Sequence, residues 1–122
     1  MSINRMVIYK DMLFCGTMPG LIVAYDINSA DVVLEINAHS RPVTDLDANE
    51  STDQILSASE DSFIRIWHIG NVRDGQTNCS FSTSIANVPI VGACFANFDG
   101  SAFIASGYDY STLFYFTQQQ QQ

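Results

Sequence analysis

The sequence predicts an all-β protein assembled from repeated four-stranded units, and three observations predict it. Short apolar or alternating runs recur along the chain, and no segment sustains a helical period. Clusters of Gly, Asp, Asn, Ser and Pro separate these runs at the spacing of tight turns. The chain also resembles itself: an apolar strand, small residues, a tight turn and a second strand ending in an aromatic recur three times.

Taken in order, the first unit covers residues 1–37. Its candidate strands are Arg5–Tyr9, Met12–Gly16, Leu21–Asp26 and Val32–Ile36, with a reverse turn at Met18-Pro19-Gly20. There Pro sets a negative φ and Gly supplies a positive one. The second unit, residues 38–85, contains Val43–Ala48, Gln54–Ser59, Phe63–His68 and Cys79–Ser84, with Glu60-Asp61-Ser62 as the matching turn. A longer stretch from Gly70 to Asn78 reads as a surface loop. The third unit, residues 86–117, contains Ile90–Phe98, Ala102–Gly107 and Thr112–Phe116. Asp99-Gly100 marks a hairpin there, and Tyr108-Asp109-Tyr110 holds the later turn. Residues 118–122 are all glutamine and are expected to form a disordered tail.

The repeat decides the architecture. Leu13 to Tyr25, Leu56 to Trp67 and Ile104 to Tyr115 align, and their aromatics lie 42 and then 48 residues apart. A period near 40–45 residues with four strands per unit indicates a propeller blade. The prediction is a partial β-propeller of three four-stranded blades, the last lacking its outer strand. Because repeat units bury their cores against neighbours, completion is expected from further blades of the same protein, a second chain or a homo-oligomer.

The middle unit carries the most informative residues. Ala38-His39 opens it, Ser57 lies four residues before Asp61, and Asp61 lies six before Trp67. A buried imidazole, carboxylate, hydroxyl and indole N–H must each find a partner, and these four can satisfy one another. The pattern resembles the WD-repeat family, whose units run from a Gly-His pair to a Trp-Asp pair. The resemblance implies a hydrogen-bond network from Asp61 to His39 to Ser57 to Trp67. It also implies that loops on one rim, here Ser40, Arg41, Glu60 and Tyr108 with Met18, Asn87 and Val88, present themselves to partner proteins. The outer units depart from the pattern: Tyr25 and Tyr115 replace Trp, Pro19 replaces the turn Asp, and no His stands near Asn87. A narrower likeness, to the C-terminal repeats of one member of that family, rests on Ile36-Asn-Ala-His39, Leu56 to Phe63, Gly92 to Phe95 and Ser101 to Asp109.

Ser57, His39 and Asp61 also spell a nucleophilic triad. No G-x-S-x-G elbow surrounds Ser57, no oxyanion donors can be named and Trp67 has no role in acyl transfer, so no catalytic residue is expected. His39, His68, Cys15, Cys79 and Cys94 offer no ligand pair at zinc spacing, so neither metal nor cofactor is expected.

Composition narrows the class further. Thirteen acidic residues against five basic ones give a net charge of −8, which disfavours nucleic acid and anionic membranes as partners. The apolar stretch near the start spans four residues, too short for the ~7–15 of a signal peptide, and a cytoplasmic location is expected. The expected function is a non-catalytic protein–protein interaction scaffold. A purely structural subunit of a large assembly, such as a cytoskeletal one, is the alternative and a serine hydrolase the remote one.

Overall fold

The computed structural model describes residues 2–70 and 77–118. Within them lie eleven strands: β1 Ile3–Tyr9, β2 Met12–Thr17, β3 Leu21–Asp26, β4 Val32–Asn37, β5 Val43–Asn49, β6 Gln54–Ser59, β7 Phe63–Ile69, β8 Thr77–Ser84, β9 Ile90–Phe95, β10 Ala102–Gly107 and β11 Leu113–Thr117. They form three antiparallel sheets, β1-β2-β3-β4, β5-β6-β7-β8 and β9-β10-β11, each ordered as in the chain. This is the all-β, partial-propeller architecture, with a third sheet of three strands. Most of the expected loop at Gly70–Asn78 lies outside the described residues, as do residues 119–122 of the glutamine run. Gln118 itself is tied down: its N–H donates to Ser101 O at 2.7 Å.

The middle sheet explains why its strands read as nearly continuous apolar runs. Side chains alternate between its two faces. Ile55, Trp67 and Ile69 face the first sheet and pack with Tyr9, Phe14, Ile22 and Leu34. Leu56, Ile64 and Ile66 face the third sheet and pack with Val88, Ile90 and Phe103. Both faces of the middle sheet are therefore core. Phe103 anchors the second cluster, stacked on Phe116 at 5.0 Å and meeting Phe81 edge-on at 5.9 Å. The flanking sheets keep apolar outer faces, with Met6 62% and Leu113 70% exposed.

The innermost strands are joined by two carboxylates of β5. Asp45 accepts from its neighbour Leu46 N–H at 2.9 Å and, through its other oxygen, from Ala93 N–H across the interface at 2.9 Å. Asp47 repeats the arrangement with Ala48 N–H at 2.9 Å and Phe95 N–H at 2.7 Å. Edge amides that no strand pairs are thus satisfied by side chains, as buried donors require.

Three expectations are corrected. The strand read as Ile90–Phe98 stops at Phe95. Asn97 Oδ1 accepts from Ser101 N–H at 3.2 Å and Gly100 takes φ +70°, so the chain turns early. The alignment of Leu13 with Leu56 slips by one: Leu13 pairs with Tyr25 as Ile55 pairs with Trp67, so Cys15 occupies the place of Ser57. Tyr115 is not the counterpart of Trp67. An extra residue in the β10–β11 turn moves Phe116 into that place, opposite Phe103, and leaves Tyr115 65% exposed.

Candidate functional site

The site grows from one tight turn. Ser59 to Ser62 closes with Ser62 N–H donating to Ser59 O at 3.2 Å, and Ser62 adopts φ +75°. The turn carries Asp61, whose carboxylate collects four contacts. Phe63 N–H donates to Oδ1 at 2.9 Å and Ser40 N–H to Oδ2 at 3.1 Å, while His39 Nδ1 lies 3.2 and 3.0 Å from the two oxygens. His39 Nε2 lies 2.8 Å from Ser57 Oγ, and Trp67 Nε1–H donates to the same oxygen at 2.9 Å.

These contacts fix the direction of every hydrogen. The Asp61 carboxylate can only accept, so Nδ1–H of His39 donates to it, and the indole can only donate, so Ser57 Oγ accepts from it. In the neutral imidazole that burial favours, Nε2 is then the bare nitrogen and accepts the Ser57 O–H. Burial holds the His39 imidazolium form down, so its pKa falls below the ordinary value despite the pull of Asp61; the nearby Arg65 cation pushes the same way. The relay is neutral imidazole between an acceptor and a donor, with no buried side-chain polar atom unpartnered among the described residues.

The relay has the order of a catalytic triad without its access. Ser57 is 0% exposed. The indole N–H occupies one lone pair of the Ser57 oxygen, and no solvent-accessible surface remains at which a substrate carbonyl could meet it. Chemically the arrangement ties three segments together: the 38–40 connection, strand β6 and strand β7. Arg65 reinforces it, donating from Nη1 to Ala38 O at 2.6 Å with its guanidinium over the Phe63 ring at 4.5 Å.

What the relay holds is a rim. Met18 N–H donates to Ser2 O at 2.9 Å, Glu60 N–H to Pro42 O at 3.3 Å and Tyr108 N–H to Pro89 O at 2.9 Å. Each bond ties the turn between a sheet's second and third strands to the residue leading into its first strand, so all three turns share one edge. Ser40, Arg41, Glu60, Met18, Asn87 and Tyr108 are exposed along it. Val88, expected there, is instead 4% exposed and packs in the second core cluster, because it leads directly into β9.

Two contributors escape the sequence pattern. Ser59 Oγ donates to Arg41 O at 3.1 Å and accepts Asp61 N–H at 3.1 Å, joining turn and rim; its signal is a Ser two residues before an Asp in a turn. Gly20 is the other. It takes φ +94°, its carbonyl accepts His39 N–H at 3.0 Å, and any Cβ there would collide with His39 O. The outer sheets lack the relay: Ala105, fully buried, stands where Ser57 does in the middle sheet, and Cys15 in the first.

A family model described as WDR54 matches residues 2–118. The chain is 27% identical over 109 residues to human "WD repeat-containing protein 54", covering 87% of this chain and 33% of that protein. It is 37% identical over 83 residues to "Pre-mRNA-processing factor 19" of Caenorhabditis elegans, covering 66% of this chain and 16% of that one. The chain spans about a third of the length of the WD repeat-containing relatives it matches. Among solved structures, the β-propeller domain of Cps50 (Swd1) from Myceliophteria thermophila superposes with a TM-score of 0.77 at 17% identity, covering 97% of this chain and 39% of that one. A chain of the Mitotic Checkpoint Complex superposes with a TM-score of 0.79 at 14% identity, covering 94% and 36%.

Proposed function

The chain belongs to the WDR54 family of WD-repeat propellers, and from that premise we propose that it is a non-catalytic scaffold that presents its rim to partner proteins. The observation that carries this reading is the buried relay. Asp61, His39, Ser57 and Trp67 are spent on holding the middle sheet's part of the rim, from which exposed Ser40, Arg41 and Glu60 project, and exposed Tyr108 stands on the same edge. Rigid scaffolds with exposed loop side chains recognise partners at low ordering cost, and Arg and Tyr are favoured as anchors. The Mitotic Checkpoint Complex chain is a fold neighbour that resides in a protein assembly, which agrees with this use of the fold.

The test is co-purification of partners from cells by the tagged chain, compared with the triple variant Arg41→Ala, Glu60→Ala, Tyr108→Ala. Loss of the partner set with an unchanged melting temperature is expected. An unchanged partner set would overturn the rim assignment. Labelling of Ser57 in the folded chain by a fluorophosphonate probe would overturn the non-catalytic reading.

A purely structural role in a large assembly draws on a separate observation, the apolar outer faces bearing Met6 and Leu113. Constant stoichiometry in every preparation would favour it over exchangeable binding. A cytoplasmic setting accompanies either reading. The thiols of Cys15, Cys79 and Cys94 are free, which suits a reducing compartment, and no described helix is long and apolar enough to cross a membrane.

A further inference from the structure

On the edge opposite the rim, the first-to-second-strand turns of the middle and third sheets enclose a groove of about 650 Å³, lined by Ile8, Asp47, Glu50, Ser51, Phe95 and Phe98 among others. Phe98 is 93% exposed and Ile8 63% exposed. A phenylalanine so exposed is ordinarily a free-swinging loop residue, but this one is held. Its carbonyl accepts from Asn49 Nδ2 at 2.9 Å and from Ser51 Oγ at 2.7 Å. The loop behind it is closed by Ala96 N–H to Ala102 O at 2.8 Å and by Asn97 Nδ2 to Ser101 Oγ at 3.0 Å. Hydrogen bonds thus fix the backbone under an apolar ring that covers no core of its own, which is how a preordered binding anchor is built.

The charge around that ring has one sign. Asp47 and Glu50 line the groove, Asp99 follows Phe98, and no described lining residue is cationic. Lys10, whose main-chain N–H donates to Glu50, turns its ammonium to Asp53 at 2.8 Å. The chain as a whole carries −8.

We propose that this groove binds an extended segment of a partner protein in which an arginine or lysine is flanked by aliphatic side chains. The aliphatic groups cover Phe98 and Ile8, and the cation faces Glu50. The site lies on the edge away from Arg41 and Tyr108 and goes beyond the rim reading: either site can fail without the other.

The experiment uses the full chain and a fluorescein-labelled peptide of sequence Gly-Ser-Leu-Arg-Leu-Ser-Gly, read by fluorescence anisotropy at low salt. Saturable binding is expected, with Phe98→Ala weakening it by about tenfold or more and Phe98→Leu restoring most of it. Phe98 packs no core, so the alanine variant should remain folded. Glu50→Gln keeps an acceptor for Lys10 N–H and removes the charge. It should weaken this peptide by about threefold to tenfold and leave unchanged the peptide with citrulline for arginine. Arg41→Ala and Tyr108→Ala should have no effect. Amide shifts in labelled protein should concentrate at Asn49–Ser51 and Ala96–Phe98. No saturable binding, equal binding to Phe98→Ala, or equal binding of the peptide with glutamate for arginine would overturn the proposal.

Discussion

Ser57 sits between His39 and Trp67 in the relay, and its single oxygen serves both of them. Replacing it with alanine leaves an indole N–H and an imidazole nitrogen buried without partners. Each orphan costs about 1–3 kcal/mol, so Ser57→Ala is expected to destabilise the chain by about 2–6 kcal/mol in urea titration. Ser57→Thr, which restores the hydroxyl, should recover part of that loss. His39 adds a pH dependence whose sign follows from its direction of shift. Burial lowers its pKa in the folded state, so the unfolded chain binds the proton first. Its contribution is complete above the ordinary histidine value of 6.5 and is lost as pH falls below it. The urea midpoint should therefore drop more steeply from about pH 7 to about pH 5 in the parent than in His39→Gln; parallel profiles would remove His39 as the cause. Ser62, held at φ +75° beside the relay, carries a strain that glycine lacks. Ser62→Gly should raise stability by about 0.5 kcal/mol, the left-handed penalty less glycine's entropic cost.

At the scale of strands, much was legible because the middle sheet is buried on both faces and its alternation survives as near-continuous apolar runs. Turn residues did the rest: Met18-Pro19-Gly20, Glu60-Asp61-Ser62 and Asp99-Gly100 each mark a real reversal. What stayed hidden depended on contacts between sheets. Nothing local says that Asn97 will capture Ser101 and end β9 at Phe95, or that an extra turn residue will put Phe116 in place of Tyr115. Val88 falls in the connection that the resemblance assigns to the rim, yet the chain lays it across the second core cluster. Nothing in the repeat pattern marks Asp45 and Asp47, though their carboxylates bridge edge amides of two sheets. Asp47→Asn keeps one acceptor and loses the other, and should lower stability by about 1–2 kcal/mol, with faster amide exchange at Ala48 or Phe95. Phe103→Ala, by contrast, opens the packed interface itself and should cost about 3–5 kcal/mol.

At the scale of the whole molecule, three sheets stack side by side and only the middle one is satisfied on both faces. The composition foreshadowed this: a chain with 15% charged residues has little polar surface with which to cover its outer sheets. The four relay residues were legible because their types and spacing are unusual together. The groove at Phe98 was not, because it arises only where turns from two sheets converge. The non-catalytic rim reading rests on the relay being buried and closed. The chain has a single tryptophan, so its indole N–H gives one assignable proton signal. Hydrogen exchange of that proton is the most direct measurement. The structure predicts protection that tracks global unfolding and collapses in Ser57→Ala; exchange at the rate of a free indole would contradict it.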